Sequence, residues 1–122
     1  MQDWPKVKFF KPEEFASPDE PGSGSRMDLE FMERLDTLRA LVGPLRITSG
    51  FRTPEHNAKV GGKKNSAHLK GLAADLACED SRLRFKLINV AFDLGFKRIE
   101  ICERHVHLDT DASLPQCVLI YK

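Results

Sequence analysis

The chain has 122 residues and a mass of 13.8 kDa, enough to close one hydrophobic core but hardly two, and its 41% hydrophobic and 30% charged content excludes a disordered or membrane-spanning class. Nineteen Lys and Arg against 18 Asp and Glu leave a net charge of +1, so no broad field gathers a polyanion, and neither a nucleic-acid partner nor membrane insertion is expected. A single domain over 1–122 follows, with 1–26 as an N-terminal arm and loop.

Met1-Gln2-Asp3-Trp4-Pro5-Lys6 lacks the basic-then-apolar pattern of a secretory signal, which predicts a cytoplasmic start. Between Phe15 and Arg26 the residues Ser17, Pro18, Asp19, Pro21, Gly22, Ser23, Gly24 and Ser25 favour turns and predict a surface loop without a regular element. From Asp28, the residues Leu29, Met32, Leu35, Leu38 and Leu41 recur every three positions as one apolar helix face. Ser25 or Asp28 could cap its start, and Gly43-Pro44 ends it.

Leu45 to Ser49 alternates as a strand, and Gly50 to Asn65 reads as a long irregular loop carrying polar groups. Leu72 to Ala77 is a short strand. A helix capped by Ser81 runs to Leu94 on the apolar set Leu83, Leu87, Val90, Ala91 and Leu94, and Gly95 closes it. Lys97 to Cys102, Arg104 to Asp109 and Cys117 to Tyr121 are three further strands, the first two a hairpin. This order predicts an α+β domain with a mostly antiparallel sheet, its helices packed on one face and the other face free to hold a site. Cys78, Cys102 and Cys117 lack the close paired spacing of a zinc knuckle or disulfide scaffold and read as free thiols filling core space.

Two segments carry the chemistry. In Ser66-Ala67-His68-Leu69-Lys70-Gly71-Leu72-Ala73-Ala74-Asp75 an imidazole and a carboxylate flank a glycine that permits a sharp turn. With Leu72 to Ala77 extended, Asp75 shares a face with Ala73 and Ala77, which leaves room beside the carboxylate. In His105-Val106-His107 both imidazoles emerge on one face, which Glu103 and Asp109 could share. Three of the four histidines thus fall in two short segments that each pair His with a carboxylate, the ligand chemistry zinc prefers, although spacing alone is equally compatible with solvated polar groups. His56 stands apart and reads as structural or surface.

The pattern Ser66-x-His68-x-x-Gly71-x-Ala73-x-Asp75 followed by His105-x-His107 resembles the zinc D-Ala-D-Ala carboxypeptidase family, whose relatives include phage cell-wall endolysins, murein endopeptidases and the hedgehog signalling domain. Ile47-Thr48-Ser49-Gly50-Phe51-Arg52-Thr53-Pro54-Glu55-His56-Asn57 is similar to the family's Ser-Gly-Tyr-Arg segment, and the resemblance spans roughly Asp28 to Asp109. It implies the hedgehog and DD-peptidase type of fold, a monomer, Zn2+ as cofactor and a peptidoglycan stem peptide as substrate. His68, Asp75 and His107 would bind the metal, Arg52 would bind and polarise the substrate, and Ser66 would hydrogen-bond it. His105 would act as acid or base. Several relatives carry an acidic base shortly before the last ligand. Here Arg104 stands three before His107 and Glu103 one further, so Glu103 and His105 both remain candidates.

Two functions follow from the resemblance. One is a zinc peptidase cutting beside a D-amino acid, as carboxypeptidase or endopeptidase. The other is a catalytically silent zinc-binding recognition module or phage structural module of the same fold. Lys59, Lys63, Lys64 and Lys70 surround the site-bearing loop and could attract substrate carboxylates. A protein without a signal would reach the wall only by release or delivery, as a phage lysin does.

Overall fold

A computed structural model of the chain describes residues 4–120. Met1, Gln2 and Asp3 of the N-terminal reading and Tyr121 of the last strand lie outside that range. Helix α1 (Leu29–Val42) begins at Asp28, not Ser25: the Asp28 carboxylate accepts from the Phe31 N–H at 2.9 Å. Gly43, at φ 107°, ends it as expected. Strand β1 (Ile47–Ser49) follows.

The stretch read as an irregular loop from Gly50 to Asn65 instead contains a second helix, α2 (Pro54–Lys59). Thr53 caps it by accepting from the His56 N–H at 3.1 Å, and Pro54 starts it at a position where no donor is needed. Six residues are too few to show an apolar period. A 3-10 turn at Ala67–Lys70 then ends at Gly71, whose φ of 70° turns the chain into β2 (Ala73–Ala77). Helix α3 (Ser81–Asp93) is capped by Asp80 rather than Ser81, the carboxylate accepting from the Leu83 N–H at 3.1 Å. Strands β3 (Arg98–Ile101), β4 (His105–Asp109) and β5 (Cys117–Ile120) complete the chain.

The result is a single small α+β domain around one five-stranded sheet of order β1-β2-β4-β3-β5. Its pairings are antiparallel except β3 with β5, which is parallel. Asp109 at the end of β4 and Cys117 at the start of β5 both lie opposite Arg98, so the chain from 110 to 116 need only pass around the start of β3.

Side-chain alternation divides the sheet. Ala74, Leu76, Ile99, Val106 and Leu108 are buried with Phe31, Leu35 and Leu38 of α1 and Leu87 and Ala91 of α3. Asp75, Glu100, His105 and His107 alternate with these and line a cleft on the opposite face. No helix among the described residues is long and apolar enough to cross a membrane.

The stretch from 15 to 26 read as a surface loop is mostly turns and bends, with Pro18, Asp19, Pro21 and Gly22 exposed, but Ser17, Ser23 and Gly24 are buried and the arm before it is docked. Short 3-10 turns form at Pro12–Phe15 and Ser23–Arg26, and Gly24 lies so close to the Pro12 carbonyl that no side chain would fit there. Phe15 is fully buried, with Trp4 and Phe10 edge-on against it at ring separations of 5.7 and 5.4 Å. The Asp36 carboxylate of α1 ties the arm down by accepting from the Lys8 and Phe9 N–H groups. Aromatic burial overrides the local turn preference here.

Candidate metal centre

His68 arrives on the 3-10 turn that Ser66 caps, the Ser66 hydroxyl accepting from the His68 N–H at 3.2 Å. Its ring Nδ1 lies 2.7 Å from the Gly50 carbonyl. A carbonyl only accepts, so Nδ1 donates to it and Nε2 is the nitrogen turned toward Asp75. Nε2 is buried without a hydrogen-bond partner, 3.3 Å from Asp75 Oδ1. The Gly50 carbonyl is itself held, because Phe15 packs where a side chain at Gly50 would be and the Phe51 N–H donates to the Phe15 carbonyl at 2.9 Å. The N-terminal arm therefore sets the acceptor that orients His68.

Strand register brings the other two groups together. Asp75 of β2 lies directly opposite His107 of β4, with Oδ1 3.0 Å from His107 Nδ1. The second ring nitrogen of His107, Nε2, is 2.7 Å from Asp109 Oδ2. Asp109 is 1% exposed, and its Oδ2 also accepts from Arg98 Nε at 3.1 Å. Burial pulls the His107 pKa down, but its hydrogen bonds to Asp109 and Asp75 outweigh this and raise it to about 9. Burial pushes the Asp75 carboxyl up, yet its contacts with His107 and His68 hold it below the usual carboxylate range.

These shifts fix a pH profile for the metal-free protein. His107 contributes stability that is complete below its ordinary value of 6.5 and disappears as pH rises through about 9. Asp75 contributes stability present above its ordinary value of 3.8 and lost as pH falls below it. Denaturant unfolding in excess chelator is therefore expected to be hardest between these two ordinary values. A profile flat across the alkaline range would contradict the coupling.

One donor atom each from His68, Asp75 and His107 lie within 4.8 Å of one another. Two imidazole nitrogens and one carboxylate oxygen form a zinc-type donor set, and three protein donors leave a coordination position open. His68 Nε2, buried without a hydrogen-bond partner, and the neighbouring Asp75 oxygen present donors that an entering cation would satisfy, so the residues present fit a metal. The Asp109 carboxylate and the Gly50 carbonyl hold the outer ring nitrogens as acceptors behind metal-bound histidines do. Asp109→Asn must turn an amide N–H2 toward the Asp111 N–H or toward Arg98 and His107. Zinc affinity, read by competition with a chromophoric chelator, is expected to fall about 10–100-fold.

Arg52 reaches this group, with Nη2 3.6 Å from Asp75 Oδ2. Its Nε donates to the Ser49 hydroxyl at 3.2 Å and its Nη1 to Asn57 Oδ1 at 3.2 Å. Burial lowers its pKa and Asp75 opposes that, leaving a charged guanidinium at the cleft. His105 Nε2 is 3.8 Å from Asp75 Oδ2, and its ring is one-third exposed to the cleft. Glu103 sits in the exposed turn between β3 and β4, is not among the cleft-lining residues, and its carbonyl accepts from Arg84. Ser66 lines the cleft. His56 lies on α2 outside both the donor group and the cleft lining.

The lysine cluster divides: Lys63 lines the cleft, whereas Lys70 pairs with Asp111 at 2.9 Å. Burial raises the thiols of Cys78 and Cys102, the latter to about 11, so neither is a thiolate at neutral pH. Sequence reasoning placed Asp109 on the histidine face without giving it a task, and gave none to Arg98 or Asn57. Asn57 meets Arg52 across the short turn into α2, whereas Arg98 is joined to the site only by tertiary register.

No individually curated protein matches the chain. A family model described as Peptidase M15 matches residues 8–109, so the chain belongs to the M15 peptidases, a family of metallopeptidases.

Proposed function

We propose that the protein is a zinc-dependent peptidase that hydrolyses a peptide bond beside a D-amino acid in peptidoglycan stem peptides. The observation that carries this reading is the orphaned, buried Nε2 of His68 facing Asp75 and His107 on the floor of a cleft of about 770 Å³. His68, Asp75 and His107 would hold the metal, which when bound supplies Lewis acidity and a water acidic enough to serve as nucleophile near neutral pH.

The chain's own residues do the rest. Arg52, fixed by Ser49 and Asn57, orients the substrate carbonyl and stabilises the negative charge that develops on its oxygen. His105, exposed to the cleft, takes the proton from the attacking water and delivers it to the leaving amine. Ser66, whose oxygen already accepts from His68, retains its hydroxyl proton to donate to a substrate carbonyl or carboxylate.

A second, smaller groove lined by Arg46, Thr48, Glu79 and Arg104 also touches His105, so a peptide crossing that residue has room on both sides. This supports cleavage within a chain over removal of a terminal residue. Zymography on purified cell walls with and without chelator tests the reading. Clearing that chelator abolishes is the expected result, and zinc content without clearing would point to a silent binding module. Mass spectrometry of products from defined muropeptides identifies the bond.

A further inference from the structure

The cleft has two unlike banks. Arg52, Lys63, Asn65 and Ser66 form a polar, cationic one. The other carries Arg98 and Glu100 of β3 and, beyond the stretch that matches the family model, which stops at 109, the apolar residues Leu114, Pro115 and Leu119. We propose that this C-terminal segment is the specificity bank of the cleft, taking an apolar side chain of the peptide on one side of the scissile bond, and this rests on the peptidase reading above.

Strand phase supports the assignment. Cys117 and Leu119 lie opposite Arg98 and Glu100, on the site face of the sheet, while Val118 and Ile120 lie opposite Ile99 and Ile101 on the helix face. Leu119 is 37% exposed and Leu114 only partly buried, so both offer apolar surface that none of the described residues covers completely.

The bank is also anchored at the metal centre. Arg98 donates from Nη1 to the Pro115 carbonyl at 2.7 Å and from Nε to Asp109, the carboxylate that holds His107. Lys70 fastens the same segment through Asp111 and the Ser113 hydroxyl, and the Asp111 N–H donates to Asp109 Oδ1. The apolar surface is thereby fixed relative to the reacting atoms, as discrimination by a pocket requires.

The test uses the zinc-loaded full chain and three labelled peptides: acetyl-Lys-D-Ala-D-Ala, and the two versions in which one D-Ala at a time is replaced by D-Asp. Dissociation constants come from fluorescence anisotropy and turnover from product analysis. The wild type is expected to bind the all-alanine peptide about tenfold more tightly than one of the two aspartate versions. Leu114→Asp and Leu119→Asp should abolish that preference. Val118→Asp, which leaves the opposite face of the same strand, should retain it, separating loss of the bank from loss of β5. A wild type that does not discriminate, or a preference that survives both leucine substitutions, overturns the bank even if the peptides are cut. Discrimination without cleavage of these peptides or of purified cell walls leaves the bank standing and overturns the peptidase reading.

Discussion

His68→Ala and Asp75→Ala are each expected to lose stoichiometric zinc and, with it, all hydrolysis. Removing either leaves two protein donors, too few for a site that must also keep a coordination position open. The two differ in what they do to the metal-free fold. Truncating His68 loses the bond to the Gly50 carbonyl, the edge-on packing against His107 and one neighbour of Asp75, but leaves Asp75 facing Arg52 and His107. Asp75 is the anion that Arg52, His68, His105 and His107 all face within 4.0 Å. Its loss leaves the half-buried Arg52 guanidinium without its carboxylate and His107 with Asp109 alone, and it removes a cause of the raised His107 pKa. Asp75→Ala should therefore unfold at lower denaturant than His68→Ala when both are measured in chelator. Metal analysis after gel filtration checks the first claim, and a His68→Ala protein that retains one zinc would refute the ligand assignment.

Legibility from sequence followed the range of the interactions. Asp75 and His107 were readable because a strand's two-residue period fixes which face a side chain takes, and β2 and β4 obey it. Both long helices were readable from apolar periodicity, although Leu41, placed on the apolar face of α1, is exposed, Asp28 was one of two cap candidates and Asp80 was missed beside Ser81. Helix α2 was not readable from periodicity, because one and a half turns on the surface need only Thr53 and Pro54. How tightly the arm docks was not readable, because the burial of Trp4, Phe10 and Phe15 depends on the tertiary core they join and on no local pattern. Arg98 shows the same limit. Its link to Asp109 exists because β3 pairs with β4 in one particular register, which no local pattern specifies.

His105→Ala is expected to keep its zinc and lose about 10²–10⁴ in kcat, the usual contribution of a positioned acid or base. The side chain stands 3.8 Å from Asp75 Oδ2, outside hydrogen-bonding distance, and is not one of the clustered donors, so deleting it leaves the metal group intact. Strand β4 does not need it either, since the pairing of Cys102 N–H to His105 uses the backbone carbonyl. Glu103, the rival from sequence, is exposed in the turn ahead of β4 and off the cleft lining, and Glu103→Gln should change kcat by no more than about threefold. The comparison discriminates because removing a proton-transfer group also removes its limb of the pH–rate profile, whereas a change in packing alone lowers the rate equally at every pH. Steady-state kinetics of both variants across pH, with zinc content measured on the same samples, decides between them. A His105→Ala enzyme of undiminished kcat beside a crippled Glu103→Gln would transfer the proton-moving role to Glu103 and require the β3–β4 turn to fold over the cleft during turnover.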